Sequence, residues 1–135
     1  MRIEHVALWT RDTATLERLR DFYETWFAAT AGPRYESRRR PGFTSYFLTF
    51  PSDGEGGGAR LELMTAPDIG DGSRGDVTGW AHIAIALGTR AAVDHMVERM
   101  RGAGVAVVSG PRTTGDGYYE AVVGDPDGNR VEITA

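Results

Sequence analysis

IEHVALW (residues 3–9) and WAHIAIA (residues 80–86) are one pattern written twice. Each carries a histidine, His5 or His82, ahead of a short apolar alternation, and each is answered later by a run with a central glutamate: RLELMT (60–65) with Glu62, and RVEITA (130–135) with Glu132. Side chains along a β-strand alternate between its two faces, so His5, Ala7 and Trp9 share one face while Val6 and Leu8 share the other. His82 likewise opposes Ile83 and Ile85, Glu62 opposes Leu61 and Leu63, and Glu132 opposes Val131 and Ile133. Each candidate ligand therefore has apolar neighbours on the opposite face that can pack under a helix. Two imidazoles and two carboxylates are expected to face a common cavity.

The sequence between these strands repeats as well. After the first strand, Asp12 is an expected N-cap, and Leu16, Leu19, Tyr23, Trp26 and Phe27 recur at helical spacing on a face expected to cover the sheet, with Gly32 and Pro33 as the stop. A polar strand near RYESR, the strand TSYFLTF, a hairpin turn at PSDGEGGG and the strand ARLELMT complete the first half. In the second half Thr89 is an expected cap for a helix that turns Val93, Met96, Val97 and Met100 inward and ends at Gly102 and Gly104. VAVVSG, YYEAVVG and NRVEIT follow as strands, the last two joined by the turn DPDGN. The expected architecture is α+β: a single domain over residues 1–135, made of two β-α-β-β-β modules (about 1–66 and 80–135, linker about 67–79) whose curved mixed sheets surround a cleft.

Composition narrows the chemistry. The 135 residues carry a formal charge of −4, which argues against nucleic acid or an acidic membrane surface as a partner. No apolar run has the length of a membrane helix and no signal-type stretch precedes the first strand, so a cytoplasmic location is expected. With no cysteine, any metal must be held by nitrogen and oxygen. All basic residues are Arg and none is Lys, which removes Schiff-base chemistry. The Gly-rich PSDGEGGG lacks the Lys and the following helix of a phosphate loop. His95, between Asp94 and Glu98, is expected at the surface, and the run SRRRPG (37–42) is expected to be a solvated charge run on an edge strand.

The doubled module, the four strand residues His5, Glu62, His82 and Glu132, and the ending DPDGNRVEIT resemble the vicinal oxygen chelate superfamily, which includes glyoxalase I, bleomycin and fosfomycin resistance proteins, epimerases and extradiol dioxygenases. The resemblance covers essentially the whole chain. The His, Glu, His, Glu quartet is similar to that of bacterial glyoxalase I, and implies a metal held by His5, Glu62, His82 and Glu132. It further implies Glu132 as the base that moves a proton between neighbouring carbons, with Glu62 as its partner across the substrate. Where glyoxalase I commonly has an Arg and an Asn for glutathione, this sequence has Trp9 and Ala66, and the Lys often found near GPRTTGDG is missing. A retained metal centre with a rebuilt thiol site is the expectation, together with a homodimer whose sites are shared between chains.

Two imidazoles and two carboxylates suit a divalent metal with open positions, Ni²⁺, Co²⁺ or Zn²⁺ first, with Mn²⁺ or iron as further options. Aligning TSYFLTF with GYYEAVV places Leu48, Phe50, Ala121 and Val123 on the core face. Ser45, Phe47, Tyr118 and Glu120 then line the cup for a small-molecule substrate, with Trp9 and Trp80 nearby. The expected activity is glyoxalase I-like isomerase or lyase chemistry on a small 2-oxoaldehyde-derived hemithioacetal or related α-hydroxycarbonyl, with a thiol other than glutathione. Two alternatives stay open. One is a dioxygenase or epimerase using His5, His82 and Glu132; the other is a non-enzymatic module that sequesters a drug-like molecule.

Overall fold

Exposure alternates along the first strand, β1 (Val6–Trp9), as its sequence requires: Val6 and Leu8 are half-buried while Ala7 and Trp9 are exposed. The computed structural model describes residues 3–52, 58–70 and 79–135, and the chain divides into two compact units, Met1–Gly72 and Ser73–Ala135. Most of the expected linker (about 67–79) and of the expected hairpin turn (51–58) lies outside the described residues.

In the first unit, β1 leads to helix α1 (Thr13–Phe27), then β2 (Thr30–Ala31), β3 (Tyr35–Glu36), β4 (Thr44–Thr49) and β5 (Arg60–Thr65). Asp12 caps α1 as expected, its Oδ1 accepting from the Thr15 N–H at 2.6 Å. Caps of this kind stabilise a helix by about 1 kcal/mol. A 15-residue helix is marginal alone, so docking decides its stability. Leu16, Leu19 and Tyr23 are fully buried, and each buried aliphatic contributes about 2 kcal/mol. Phe22 joins this face, whereas Trp26, expected there, is only half-buried. The helix ends before Gly32, at Ala28 in a left-handed conformation (φ 51°), after which the Ala29 N–H donates to the Tyr23 carbonyl.

The early stop leaves room for β2, which the sequence reading did not anticipate. β2 and β3 both pair antiparallel with β4 and are in effect one strand interrupted at Gly32-Pro33, where proline has no N–H to give to a ladder. β4 pairs antiparallel with β5, and β5 runs parallel to β1, giving the order β1-β5-β4-β2.

The second unit repeats the plan: β6 (Ile83–Ala86), α2 (Arg90–Gly102), β7 (Val107–Thr113), β8 (Tyr119–Gly124) and β9 (Arg130–Thr134), in the sheet order β6-β9-β8-β7 with β6 parallel to β9. Thr89 caps α2 as expected, accepting from the Ala92 N–H. Val93, Val97 and Met100 are buried, Met96 is half-buried, and His95 is exposed. A tyrosine locks each helix to its sheet: the Tyr46 hydroxyl donates to Glu17 at 2.9 Å in the first unit, and the Tyr119 hydroxyl donates to Asp94 in the second. The DPDGN turn is organised by Asp125, whose buried carboxylate accepts from the Asp127 and Asn129 N–H groups at 3.0 and 2.9 Å. That motif is a structural device. Among the described residues no helix is long and apolar enough to cross a membrane.

β7 starts two residues later than the expected VAVVSG and runs on through Pro111, its register against β8 shifting around Gly110. Gly110 has φ +81°, and a Cβ there would lie 2.6 Å from the Glu120 carbonyl oxygen. Gly110→Ala should therefore cost about 2 kcal/mol or more in chemical denaturation. Gly115→Ala, where a Cβ meets nothing within 4 Å, should change stability little.

Candidate functional site

Both histidines sit one residue ahead of their strands, at the entrance to β1 and β6, rather than inside them as expected. Parallel pairing then decides what they meet. In the first unit Ala7 lies opposite Glu62, and in the second Ala84 lies opposite Glu132. The small alanine two residues after each histidine leaves the space beside the glutamate open, and the imidazole leans over it. His5 Nε2 is 3.7 Å from Glu62 Oε2, and His82 Nε2 is 3.5 Å from Glu132 Oε2. In both pairs the glutamate is the better shielded member, at 16% and 17% side-chain exposure. Among the described residues, no group of three or more His, Asp or Glu has metal-binding geometry, so the expected ligands occur as two His–Glu pairs, one per unit.

The surroundings of the two pairs differ. In the first unit Phe47, opposite Glu62 in the ladder, packs edge-on against the His5 ring at 5.1 Å. The Arg60 guanidinium stacks over the Phe47 ring at 4.1 Å, a cation–π contact worth about 1 kcal/mol. Glu4 accepts from His5 Nδ1 on one side and from Arg60 Nη1 on the other, and these contacts hold the Glu4 carboxyl below its ordinary range. Beside them lies a groove of about 540 Å³ whose walls include Tyr35, Ser45, Phe47, Thr49, Arg60 and Glu62. Ser45 and Phe47 both line this groove. Trp9 is turned to another cluster, edge-on to Phe43 at 5.8 Å and under the Arg40 guanidinium, which also binds Asp68 at 2.6 and 2.7 Å. Arg40 belongs to the run expected to be a solvated charge run on an edge strand, and it lies instead in the turn after β3.

In the second unit Glu120 is buried on the Glu132 face of the sheet and is reached by Arg112 Nη2 at 3.2 Å. Burial raises the Glu132 carboxyl above the usual carboxylate range, and the neighbouring Glu120 charge raises it further, while His82 opposes both. Tyr118 and Trp80, expected in the pocket, are exposed, Trp80 at 92%.

With this geometry in view, the comparisons with known proteins are specific about the family. The model of the glyoxalase/bleomycin resistance protein/dioxygenase superfamily matches residues 2–133. The chain belongs to this superfamily. No curated protein sequence matches it. A glyoxylase/bleomycin resistance protein/dioxygenase domain from Frankia sp. EAN1pec is 18% identical with a TM-score of 0.78, over 99% of this chain and 96% of its own. The trypanothione-dependent glyoxalase I of Leishmania major is 22% identical with a TM-score of 0.69, over 99% and 86%. The fosfomycin resistance protein FosX of Listeria monocytogenes, complexed with Mn(II) and sulfate, is 19% identical with a TM-score of 0.70, over 99% and 91%. These structural likenesses show a shared fold.

Sequence reading missed Glu4, Arg60 and Arg112. One signal was available for Arg112: Gly-Pro-Arg occurs at 32–34, between β2 and β3, and again at 110–112, within β7, the second strand of each module. Arg34 reaches Glu17 and Glu36, as Arg112 reaches Glu120.

The raised Glu132 carboxyl has a definite sign. The folded chain holds this proton more tightly than the unfolded chain, so the group favours folding below the reference value of 4.5, and that contribution is lost as pH rises through the higher folded value. NMR titration of the metal-free protein should find Glu132 titrating above the ordinary glutamate range, and Glu120→Gln should bring it down by removing the second charge.

Proposed function

We infer that His5, Glu62, His82 and Glu132 hold a divalent cation, and that the protein carries out glyoxalase I-like isomerase or lyase chemistry on a small 2-oxoaldehyde-derived hemithioacetal or related α-hydroxycarbonyl. The observation that carries this reading is the matched pair of Nε2–Oε2 approaches, 3.7 and 3.5 Å, at equivalent positions of the two units. Two ligands each about 2.1 Å from one cation stand roughly 3 to 3.6 Å apart for bond angles between a right angle and 120°. Each pair fits that span with little movement. Neutral imidazole nitrogens and carboxylate oxygens, with no thiolate, suit nickel, cobalt or zinc, with manganese and iron also accommodated. A second copy of the chain completes the set, in a homodimer with shared sites. In support, β1 and β6 each end their sheet, with Val6, Leu8, Ile83 and Ile85 incompletely covered.

A cation bound to this set supplies Lewis acidity to adjacent substrate oxygens and so acidifies the neighbouring C–H. Glu132 takes that proton and returns it to the next carbon. Glu62 serves as its partner across the substrate. Phe47 and the groove beside Glu62 exclude water and hold the apolar part of the substrate. The thiol is not glutathione: Trp9 is occupied by Arg40 and Phe43, and Ala66 is buried, so neither position offers a polar contact. A sequestering module for an aromatic molecule is the second reading, favoured by the exposed rings of Tyr35, Trp80 and Tyr118.

Protein purified without chelator should carry nickel, cobalt or zinc at near unit stoichiometry and turn over hemithioacetals of thiols other than glutathione. Bound iron points instead to the dioxygenase alternative, and absence of metal to the sequestering module. Glu132→Gln should lower kcat by about 10²- to 10⁴-fold. Full activity in that variant would reject the base assignment.

A further inference from the structure

The second ring nitrogen of His5 is the feature that the metal reading leaves unexplained. Its Nδ1 faces the Glu4 carboxylate, and Glu4 is held in turn by Arg60 Nη1, so a chain of contacts runs Arg60–Glu4–His5–Glu62. Glu4 reaches this position because residues 3–5 precede β1 and are free of strand alternation. Arg60 is fixed from its other side by stacking on Phe47, so the carboxylate is anchored on a braced cation. The corresponding place in the second unit, directly before His82, is Ala81.

We propose that Glu4 is a positioning residue that accepts the Nδ1–H of His5, fixes that tautomer, and keeps the Nε2 lone pair directed at the cation site, with Arg60 holding Glu4 in place. An imidazole in water prefers its proton on Nε2, the tautomer in which Nε2 cannot bind metal. A carboxylate on Nδ1 reverses that preference and makes Nε2 a better donor. His5 and His82 are therefore unequal: His5 is prepared before the cation arrives, and His82 is not. This inference rests on the metal reading for its purpose, but its first test does not.

Nitrogen-15 NMR of the metal-free protein, at a pH where both rings are neutral, should show His5 protonated on Nδ1 and His82 in the ordinary mixture. Glu4→Ala should return His5 to that mixture without moving His82. Glu4→Gln, whose side-chain oxygen still accepts, should restore much of the Nδ1 form, and Arg60→Gln should loosen it in part. Calorimetric titration with nickel or zinc should then show Glu4→Ala binding about 10- to 100-fold more weakly than the parent, with Glu4→Gln between them. An unchanged His5 tautomer in Glu4→Ala overturns the proposal. So does a shifted tautomer with unchanged metal affinity, because the contact would then be no aid to binding. A parent protein that binds no cation refutes the function proposed above, while the tautomer measurement still tests Glu4.

Discussion

The parallel ladder between the first and last strand of each module is the constraint on which the other features depend. Register in a sheet is unforgiving, because a slip of one residue moves every side chain to the opposite face. Pairing Ala7 with Glu62 and Ala84 with Glu132 seals Leu61, Leu63, Val131 and Ile133 under the helices. The same register leaves both glutamates on the other face, beside the histidines. Apolar burial therefore enforces the site geometry, although no site residue takes part in that burial.

Around this shared frame the modules have diverged in the polar groups that surround each pair. The first surrounds its histidine with Glu4, Arg60 and Phe47, and opens a groove along Ser45, Phe47 and Glu62. The second surrounds its glutamate, placing Glu120 and Arg112 behind it and raising its proton affinity. One unit braces its histidine and the other raises the proton affinity of its glutamate, a difference that follows from side chains the repeat does not share.

Much of this was legible in the sequence because alternation and turn chemistry are local properties. His5, Glu62, His82 and Glu132 stood out by their place in repeated strands, Asp12 and Thr89 by their position before helical runs, and Ser45 and Phe47 by their phase relative to Tyr46 and Leu48. The errors occurred where a local signal was outweighed. Gly32 and Pro33 looked like a helix stop but interrupt a strand, since the helix had already ended at Ala28. Trp26 and Met96 lie at the margin of helical faces, where spacing alone does not separate buried from half-buried. Arg40 looked like part of a solvated run until Asp68 and Trp9 were found to hold it.

By itself, then, the sequence determined the doubled module, the faces of its strands, the imidazole and carboxylate types at the paired positions and the exclusion of thiolate and lysine chemistry, because periodicity and composition are carried by each short segment alone. Only the tertiary structure decided that each histidine meets its own module's glutamate, that Glu4 and Arg60 stand behind His5, and that Glu120 and Arg112 stand behind Glu132. Those meetings join residues distant in the chain, and their distances are set by strand register and by the packing of the helices on the opposite face, which no local pattern encodes.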